Sequence, residues 1–271
     1  MTEEQPIIFD THAHYDDESF DADLDQTLRE CRDAGVRYIM NAGTSVPEIQ
    51  KAQGIVARAA GDASVPDMYF SAGIHPHFAG EYSTDRVGEL APFFTDPRCC
   101  AVGEIGLDFH YEDGSPRNAQ QDIFYAQLCM ARQLGRPVMI HERDAFDETY
   151  AVLSRQEFSG VPVLIHCFSH MVAEAKKYLD LGFSLSFTGA VTYKNGGYTL
   201  EAACYVPIDR LMIETDCPYL APVPKRGKRN CSAYLVHTAQ TIAEGRGMPY
   251  TELCRRTAEN GLRFYSIDAR V

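Results

Sequence analysis

The first chemistry legible in this chain is a pair of imidazoles. His12 and His14 stand two residues apart in Ile8-Phe9-Asp10-Thr11-His12-Ala13-His14. In an extended strand, residues i and i+2 point to the same side, so both rings face one way. Neutral imidazole nitrogen is a good ligand for Zn, Fe, Mn or Co, and two converging rings can hold one divalent cation. Four more residues of ligand type occur singly at the ends of other apolar runs: Glu104, His141, His166 and Asp216. Each has a plainer account when taken alone. His141 or His166 could be a core histidine bonded to backbone, Glu104 a buried acid paired with an arginine, and Asp216 a helix cap or turn residue. Taken jointly, several ionisable groups buried at one place are costly unless they share a partner. Four histidines and two carboxylates exceed the needs of one tetrahedral ion, and suit a centre of two divalent ions with a bridging carboxylate.

The elements that must carry these residues follow from hydrophobic periodicity. Short β-branched or apolar runs begin near Ile7, Val36, Met68, Cys99, Pro137, Pro162, Phe183 and Leu211. Each gap holds a segment of helical period. One is Asn118–Leu134, with Ile123, Phe124, Leu128, Ala131 and Leu134 down one face; another is Met171–Leu181. Eight strand–helix units of roughly 30 residues predict an α/β chain folded as a (β/α)8 TIM barrel, a fold of about 250 residues. An open doubly wound sheet is the rival, but no Gly-x-Gly-x-x-Gly follows the first strand. Val236 to Ile267 reads as two closing helices over the barrel end. With no linker or low-complexity tract, residues 1–271 read as one barrel domain.

In such a barrel function sits at the C-terminal ends of the strands. Six of the nine histidines (His12, His14, His75, His77, His141 and His166) fall there. Arg143, two residues beyond His141, should also reach the mouth, where a planar guanidinium suits phosphate or carboxylate; pairing with Glu142 or Asp144 is the competing expectation. His75 and His77 are placed with Arg143 in the substrate pocket and not on the ions. His170 could approach the mouth from the loop after the sixth strand. The basic run Lys225-Arg226-Gly227-Lys228-Arg229-Asn230 lies within loop reach of Asp216 and could contact phosphates or be a solvated loop. Tyr15, Tyr111, Tyr193, Phe109 and Phe168 could stack bases or pack loops. Cys167 and Cys217 adjoin proposed ligands, and alternation turns them toward the helices as packing residues if their strands continue.

Composition bounds the class. The 271 residues carry 38 Asp plus Glu against 25 Lys plus Arg, a formal charge of −13, with 45% apolar residues. That describes an ordinary globular chain and argues against broad adhesion to nucleic acid or anionic membrane. Nine cysteines without a Cys-x-x-Cys pair predict reduced thiols in a cytosolic or nuclear protein, and the cytoplasm is the expected location. The acidic start, Met1-Thr2-Glu3-Glu4-Gln5, does not read as a secretory leader. The longest uncharged run, from Phe158 to Ala173, is too short to span a bilayer.

Ordered motifs then carry a resemblance. They are Gly73-Ile74-His75-Pro76-His77, Gly103-Glu104-Ile105-Gly106-Leu107-Asp108, Ile140-His141-Glu142-Arg143-Asp144-Ala145, Ile165-His166-Cys167-Phe168-Ser169 and Glu214-Thr215-Asp216-Cys217-Pro218-Tyr219-Leu220. With them, and with Arg226-Gly227-Lys228-Arg229-Asn230, the chain resembles the TatD-type metal-dependent deoxyribonucleases, a branch of the amidohydrolase-like barrel hydrolases. The resemblance runs from Phe9 to Asn260. It implies metal ligands at His12, His14, Glu104, His141, His166 and Asp216. It also implies hydrolysis of DNA phosphodiesters, in several members from the 3′ end, with DNA as substrate and no obligate protein partner. Zn, Mn, Fe, Co and Ni suit the histidines, and the family adds Mg. Asp216 and Glu104 are the expected catalytic carboxylates, Asp216 as general base. His170, Cys217 and Cys231 depart from the family pattern. The same centre could instead hydrolyse a small amide, ester or lactone, since one barrel chemistry serves many substrates. A binding protein with a vestigial site is the third reading, against which the intact donor set speaks.

Overall fold

Eight runs of apolar and β-branched residues form eight parallel strands, each hydrogen-bonded to the next in chain order. A computed structural model describes residues 6–268. Residues 1–5, read above for the lack of a leader, and residues 269–271 lie outside the described residues. The strands are β1 (Ile8–Ala13), β2 (Val36–Asn41), β3 (Asp67–Ala72), β4 (Cys99–Asp108), β5 (Val138–Arg143), β6 (Val163–Ile165), β7 (Ser184–Phe187) and β8 (Leu211–Ile213). Every one starts within one residue of its expected position. The ring closes between the end of β8 and β1. There Asp216 N donates to His12 O (3.0 Å), His14 N to Cys217 O (2.8 Å) and Thr11 Oγ1 to Ile213 O (3.1 Å). The result is the (β/α)8 TIM barrel.

Six helices connect the strands: α1 (Leu24–Asp33), α2 (Val46–Ala59), α3 (Arg117–Leu134), α4 (Phe146–Leu153), α5 (Val172–Asp180) and α6 (Gly197–Tyr205). The periodicity of α3 holds, since Ile123, Phe124, Leu128 and Ala131 are buried, whereas Leu134 in its last turn is exposed. Gly135, at φ 62°, ends this helix by taking the left-handed conformation that glycine adopts without strain. One connection differs from expectation. Between β3 and β4 the chain makes 3-10 turns, Pro76–Glu81 and Thr84–Thr95, in place of an α-helix. Pro92 inside the second run lacks the N–H that an α-helix would use there. After β8 come α7 (Leu235–Arg246) and α8 (Tyr250–Phe264). The latter lies on β1, with Gly261 against the Phe9 ring and Tyr265 Oη donating to Thr11 O (2.9 Å). Among the described residues no helix is long and apolar enough to cross a membrane.

Strand alternation sorts the core into two layers. On β5, Val138 and Ile140 join the cluster between strands and helices, while Met139 joins Phe9, Met40, Leu164 and Met212 in a second cluster. His141 shares the Met139 side and lies one pleat higher. β6 and β8 end at Ile165 and Ile213, and just above them Cys167 (φ 47°) and Asp216 (φ 55°) turn the chain through left-handed backbone conformations. His166 is thus the first loop residue after β6, and Asp216 the third after β8.

Gly106 marks the tightest approach of β4 to β5. It pairs with His141 at φ 144°, and a Cβ there would stand 2.0 Å from the His141 carbonyl oxygen. Gly106→Ala should therefore lower stability by about 2 kcal/mol or more, visible as a reduced melting temperature. An unchanged melting temperature would show that the strands can move apart at little cost.

Candidate metal centre

The six expected ligands converge from β1 and the residue after it, β4, β5, the residue after β6 and the loop after β8. Glu104 lies at their centre with its two oxygens divided. Its Oε2 lies 3.4 Å from His12 Nε2 and 3.5 Å from His14 Nε2. Its Oε1 lies 2.9 Å from His141 Nδ1 and 3.0 Å from His166 Nε2. Around the first oxygen, His12 Nε2 and His14 Nε2 are 3.0 Å apart, and Asp216 Oδ1 is 3.7 and 3.4 Å from them. Metal–ligand bonds of about 2.1 Å in tetrahedral array put ligand atoms about 3.4 Å apart. The donor spacing of this group fits one small divalent cation. Around the second oxygen, His141 Nδ1 and His166 Nε2 are 3.2 Å apart, a compact three-donor group. Glu104 can serve both.

For His12, His141 and His166 the outer nitrogen faces a neighbouring side chain, which leaves the inner lone pair for an ion. His12 Nδ1 rests 3.1 Å from Met139 Sδ, and its ring stacks on His166 at 3.9 Å. His141 Nε2 meets Asp108 Oδ2 at 3.0 Å. His166 Nδ1 faces Glu214 Oε1 at 3.3 Å, a charge contact not aligned as a hydrogen bond. Glu214 is itself fixed, accepting from Cys167 N (2.6 Å) and from Ser186 Oγ. Although Glu214 also lies within ligand distance of His12 and His166, its position behind the His166 ring makes it an orienting group.

Charge follows the same geometry. Burial alone would raise the Glu104 carboxyl, but the imidazoles of His75, His166 and His12 hold it well below the usual carboxylate range. Burial works against a charged His14, yet Asp216 and Glu104 raise it to about 10. Burial likewise opposes charge on Asp216, and His14 and His12 bring it down. Without an ion, the donors can satisfy one another only by sharing protons, and divalent charge is what this set of inward lone pairs suits.

His75 is different in kind. Its Nδ1 accepts from His77 N (3.1 Å), so the proton must sit on Nε2, 3.4 Å from Glu104 Oε1. Burial lowers its pKa to about 4, which keeps the ring neutral. Proximity alone would group His75 with Glu104 and His141 as a metal triad; the tautomer makes it a hydrogen-bond donor at the site. His77 is half-exposed and reaches Asp108 Oδ2 at 3.0 Å. Arg143 stands at the rim, with Nη1 donating to Tyr111 Oη (3.3 Å) and the guanidinium over that ring. Its expected competitors are engaged elsewhere: Asp144 with His110 and Glu142 with His170.

Several expectations need correction. His170 does not approach the mouth: its Nε2 meets the buried Glu142 carboxylate at 2.6 Å, on the helix-facing side of β5 by that strand's alternation. Cys167 does not turn toward the helices, since β6 ends at Ile165; its half-buried thiol lies 4.0 Å from Thr188 Oγ1. Burial, with the Asp216 and Glu214 charges, pushes that thiol up and makes it a poor nucleophile. Cys217 is buried in the core as expected. Phe168 and Tyr15 are buried and pack loops, while Tyr111 is exposed and Tyr193 lies under Arg226, 3.9 Å from guanidinium carbon to ring. In the basic run, Arg229 is bound to Asp23 (2.7 Å) and is a structural tie.

Other supports were not singled out from the sequence. Gln120 and Gln127, seven apart on α3, each clamp a peptide unit at the barrel mouth. Gln120 bonds both N and O of Asp108 (2.8 and 2.9 Å), and Gln127 both N and O of Ile74 (2.7 and 3.0 Å), next to His75. Two amides in an otherwise apolar face were the available signal. Asp10, next to the metal motif, accepts from Thr215 N, Thr215 Oγ1 and Ser232 Oγ and so anchors the turn that carries Asp216. Burial pushes the Asp10 carboxyl up to about 7.

Over residues 9–266 the chain matches the family described as TatD related DNase. It is similar to the uncharacterized metal-dependent hydrolase YabD of Bacillus subtilis (strain 168), 33% identical over 262 residues, 97% of this chain and 100% of that one. It is also similar to the 3′-5′ ssDNA/RNA exonuclease TatD of Erwinia billingiae (strain Eb661), 33% identical over 267 residues, 97% of this chain and 100% of the relative. Its fold matches, with a TM-score of 0.86 and 25% identity, the crystal structure of YJJV, a TatD homolog from Escherichia coli K12; the match covers 96% of this chain and 98% of the other.

Because Glu104 faces both donor groups, Glu104→Gln should weaken cation binding in each. Metal content after dialysis, measured by plasma mass spectrometry, should drop well below that of the wild-type chain. Full retention of metal would remove Glu104 from the shared position.

Proposed function

The chain belongs to the TatD-related DNase family of metal-dependent hydrolases, and from that membership we propose that it cleaves DNA phosphodiester bonds, stepping from the 3′ end of single strands. The observation that carries this reading is the divided Glu104 carboxylate, which puts two three- or four-donor groups side by side. That arrangement suits a phosphoryl group with two cations on one face. His12, His14, Glu104 and Asp216 would hold one ion, and Glu104, His141 and His166 the other. When bound, the divalent ions lower the pKa of water and offset the phosphate charge. The 3′ direction and single-strand preference rest on the relative named as a 3′-5′ ssDNA/RNA exonuclease.

The chain's own groups divide the remaining work. Asp216, with its carboxyl kept ionised, takes the proton of the attacking water as general base, and Glu104 holds the two groups in register. His75, whose Nε2–H faces the Glu104 carboxylate, would donate to a phosphoryl oxygen. Arg143 and His77 stand farther out and meet phosphate oxygens at the mouth. Arg226 stacked on Tyr193 and the exposed Tyr111 supply a cationic and an aromatic surface of the kind that tracks a single strand. The nine free cysteines accord with a reducing, cytoplasmic setting, and we assign residues 1–271 to one hydrolase domain.

Asp216→Asn should keep its fold and much of its metal while turnover falls about 10²- to 10⁴-fold, the usual worth of general base catalysis. Undiminished turnover would take Asp216 out of the mechanism. A second measurement concerns the substrate: end-labelled single-stranded DNA should be shortened stepwise from its 3′ end with divalent metal and remain intact with chelator. Cleavage of acyl substrates alone, with DNA intact under every metal, would transfer the centre to amide or ester hydrolysis.

A further inference from the structure

Asp108 ends β4, two pleats beyond Glu104 and on the same side of the strand. Its side chain is wholly buried, and one oxygen, Oδ2, lies 3.0 Å from both His141 Nε2 and His77 Nε2. The other oxygen accepts from His110 N at 3.0 Å. The peptide of Asp108 is fixed at both N and O by the Gln120 side chain from α3. A carboxylate so placed has no freedom to turn, and it offers only acceptor positions to the two rings.

We propose that Asp108 is a positioning residue: by accepting from Nε2–H of His141 it fixes the tautomer that presents Nδ1 to the ion, and by accepting from His77 with the same oxygen it ties a mouth imidazole to that ligand. The assignment rests on the metal reading of His141, not on the identity of the substrate. His141 needs such a device because its two nitrogens are otherwise equivalent. Its Nδ1 lies 2.9 Å from Glu104 and 3.2 Å from His166, so a proton there would point at the ion's place. Carboxylate–histidine pairs of this kind orient ligating rings and raise their basicity, and losing one weakens metal affinity about 10- to 100-fold.

Asp108→Asn is the discriminating variant, because it keeps the shape and replaces one oxygen by an NH2 that cannot accept from either ring. Zinc is the probe. In the zinc-loaded wild-type chain, ¹⁵N-labelled histidine spectra should show His141 carrying its proton on Nε2 and binding zinc through Nδ1. Competition with a chelating dye should show the variant binding at least one zinc about 10- to 100-fold more weakly, with the His141 signal shifted and the far-ultraviolet dichroism unchanged. His77→Ala should bind zinc as the wild type does. If the wild type takes up no zinc, the metal reading and this assignment fall together. If it takes up zinc but His141 carries its proton on Nδ1, the assignment alone is overturned, and that spectrum needs no variant. Wild-type affinity in Asp108→Asn, or weaker affinity with an unchanged His141 signal, also overturns it.

Discussion

The centre depends on the division of one carboxylate between two groups of imidazoles. Glu104 is almost completely buried, and a lone carboxylate there would be strongly destabilising. It is tolerable because each oxygen has its own set of nitrogen neighbours, His12 and His14 on one side and His141 and His166 on the other. The mutual approach of those rings is in turn acceptable only if their facing nitrogens share protons or a cation. Four inward-facing imidazoles and two acids are therefore one electrostatic unit, and removing any member changes the state of the rest.

That unit requires an outer layer to decide which nitrogen faces in. Met139, Asp108 and Glu214 do so for His12, His141 and His166, using a sulfur and two carboxylates. Behind these stand groups that fix the backbone: Gln120 and Gln127 from α3, and the Asp10–Thr215–Ser232 bonds at the seam where the barrel closes. The seam matters twice. It completes the ring of strands, and it sets the left-handed turn at Asp216 that returns the last carboxylate to the first pair of histidines. Fold closure and assembly of the first donor group are thus the same event.

A net charge of −13 argues against indiscriminate binding of polyanions. It is compatible with a site whose positive charge comes from bound cations and a few rim groups. Arg143 and Arg226 are both laid over tyrosine rings, which holds the charge at the surface while covering aromatic faces. Arg229, from the same basic run as Arg226, is bound to Asp23 and Ser19 and braces the loop. A run of like charges in sequence therefore divides into a rim group and a structural tie.

The amino-acid sequence by itself determined the number of strands, their starts and the six ligand-type residues. Burial in a parallel barrel demands apolar runs at regular spacing, and such runs place polar residues conspicuously at their ends. The pairing of His12 with His14 is legible for the same reason, being local. The loops above the strands were less legible: Cys167 and Asp216 take left-handed turns beyond β6 and β8 that residue type did not announce. His170 was misplaced for a related reason, since whether a loop residue turns inward or outward depends on a partner, here Glu142, from another strand. Only the tertiary structure decided which nitrogen of each imidazole is free, that His75 is a donor where proximity suggested a ligand, and that Asp108 stands behind His141. The His75 proton is placed locally by His77 N, but it is Glu104, from the next strand, that it faces. Most of those facts are set by contacts between residues far apart in sequence, such as His12 with Met139, Asp108 with His141 and Glu214 with His166, which no local spacing encodes.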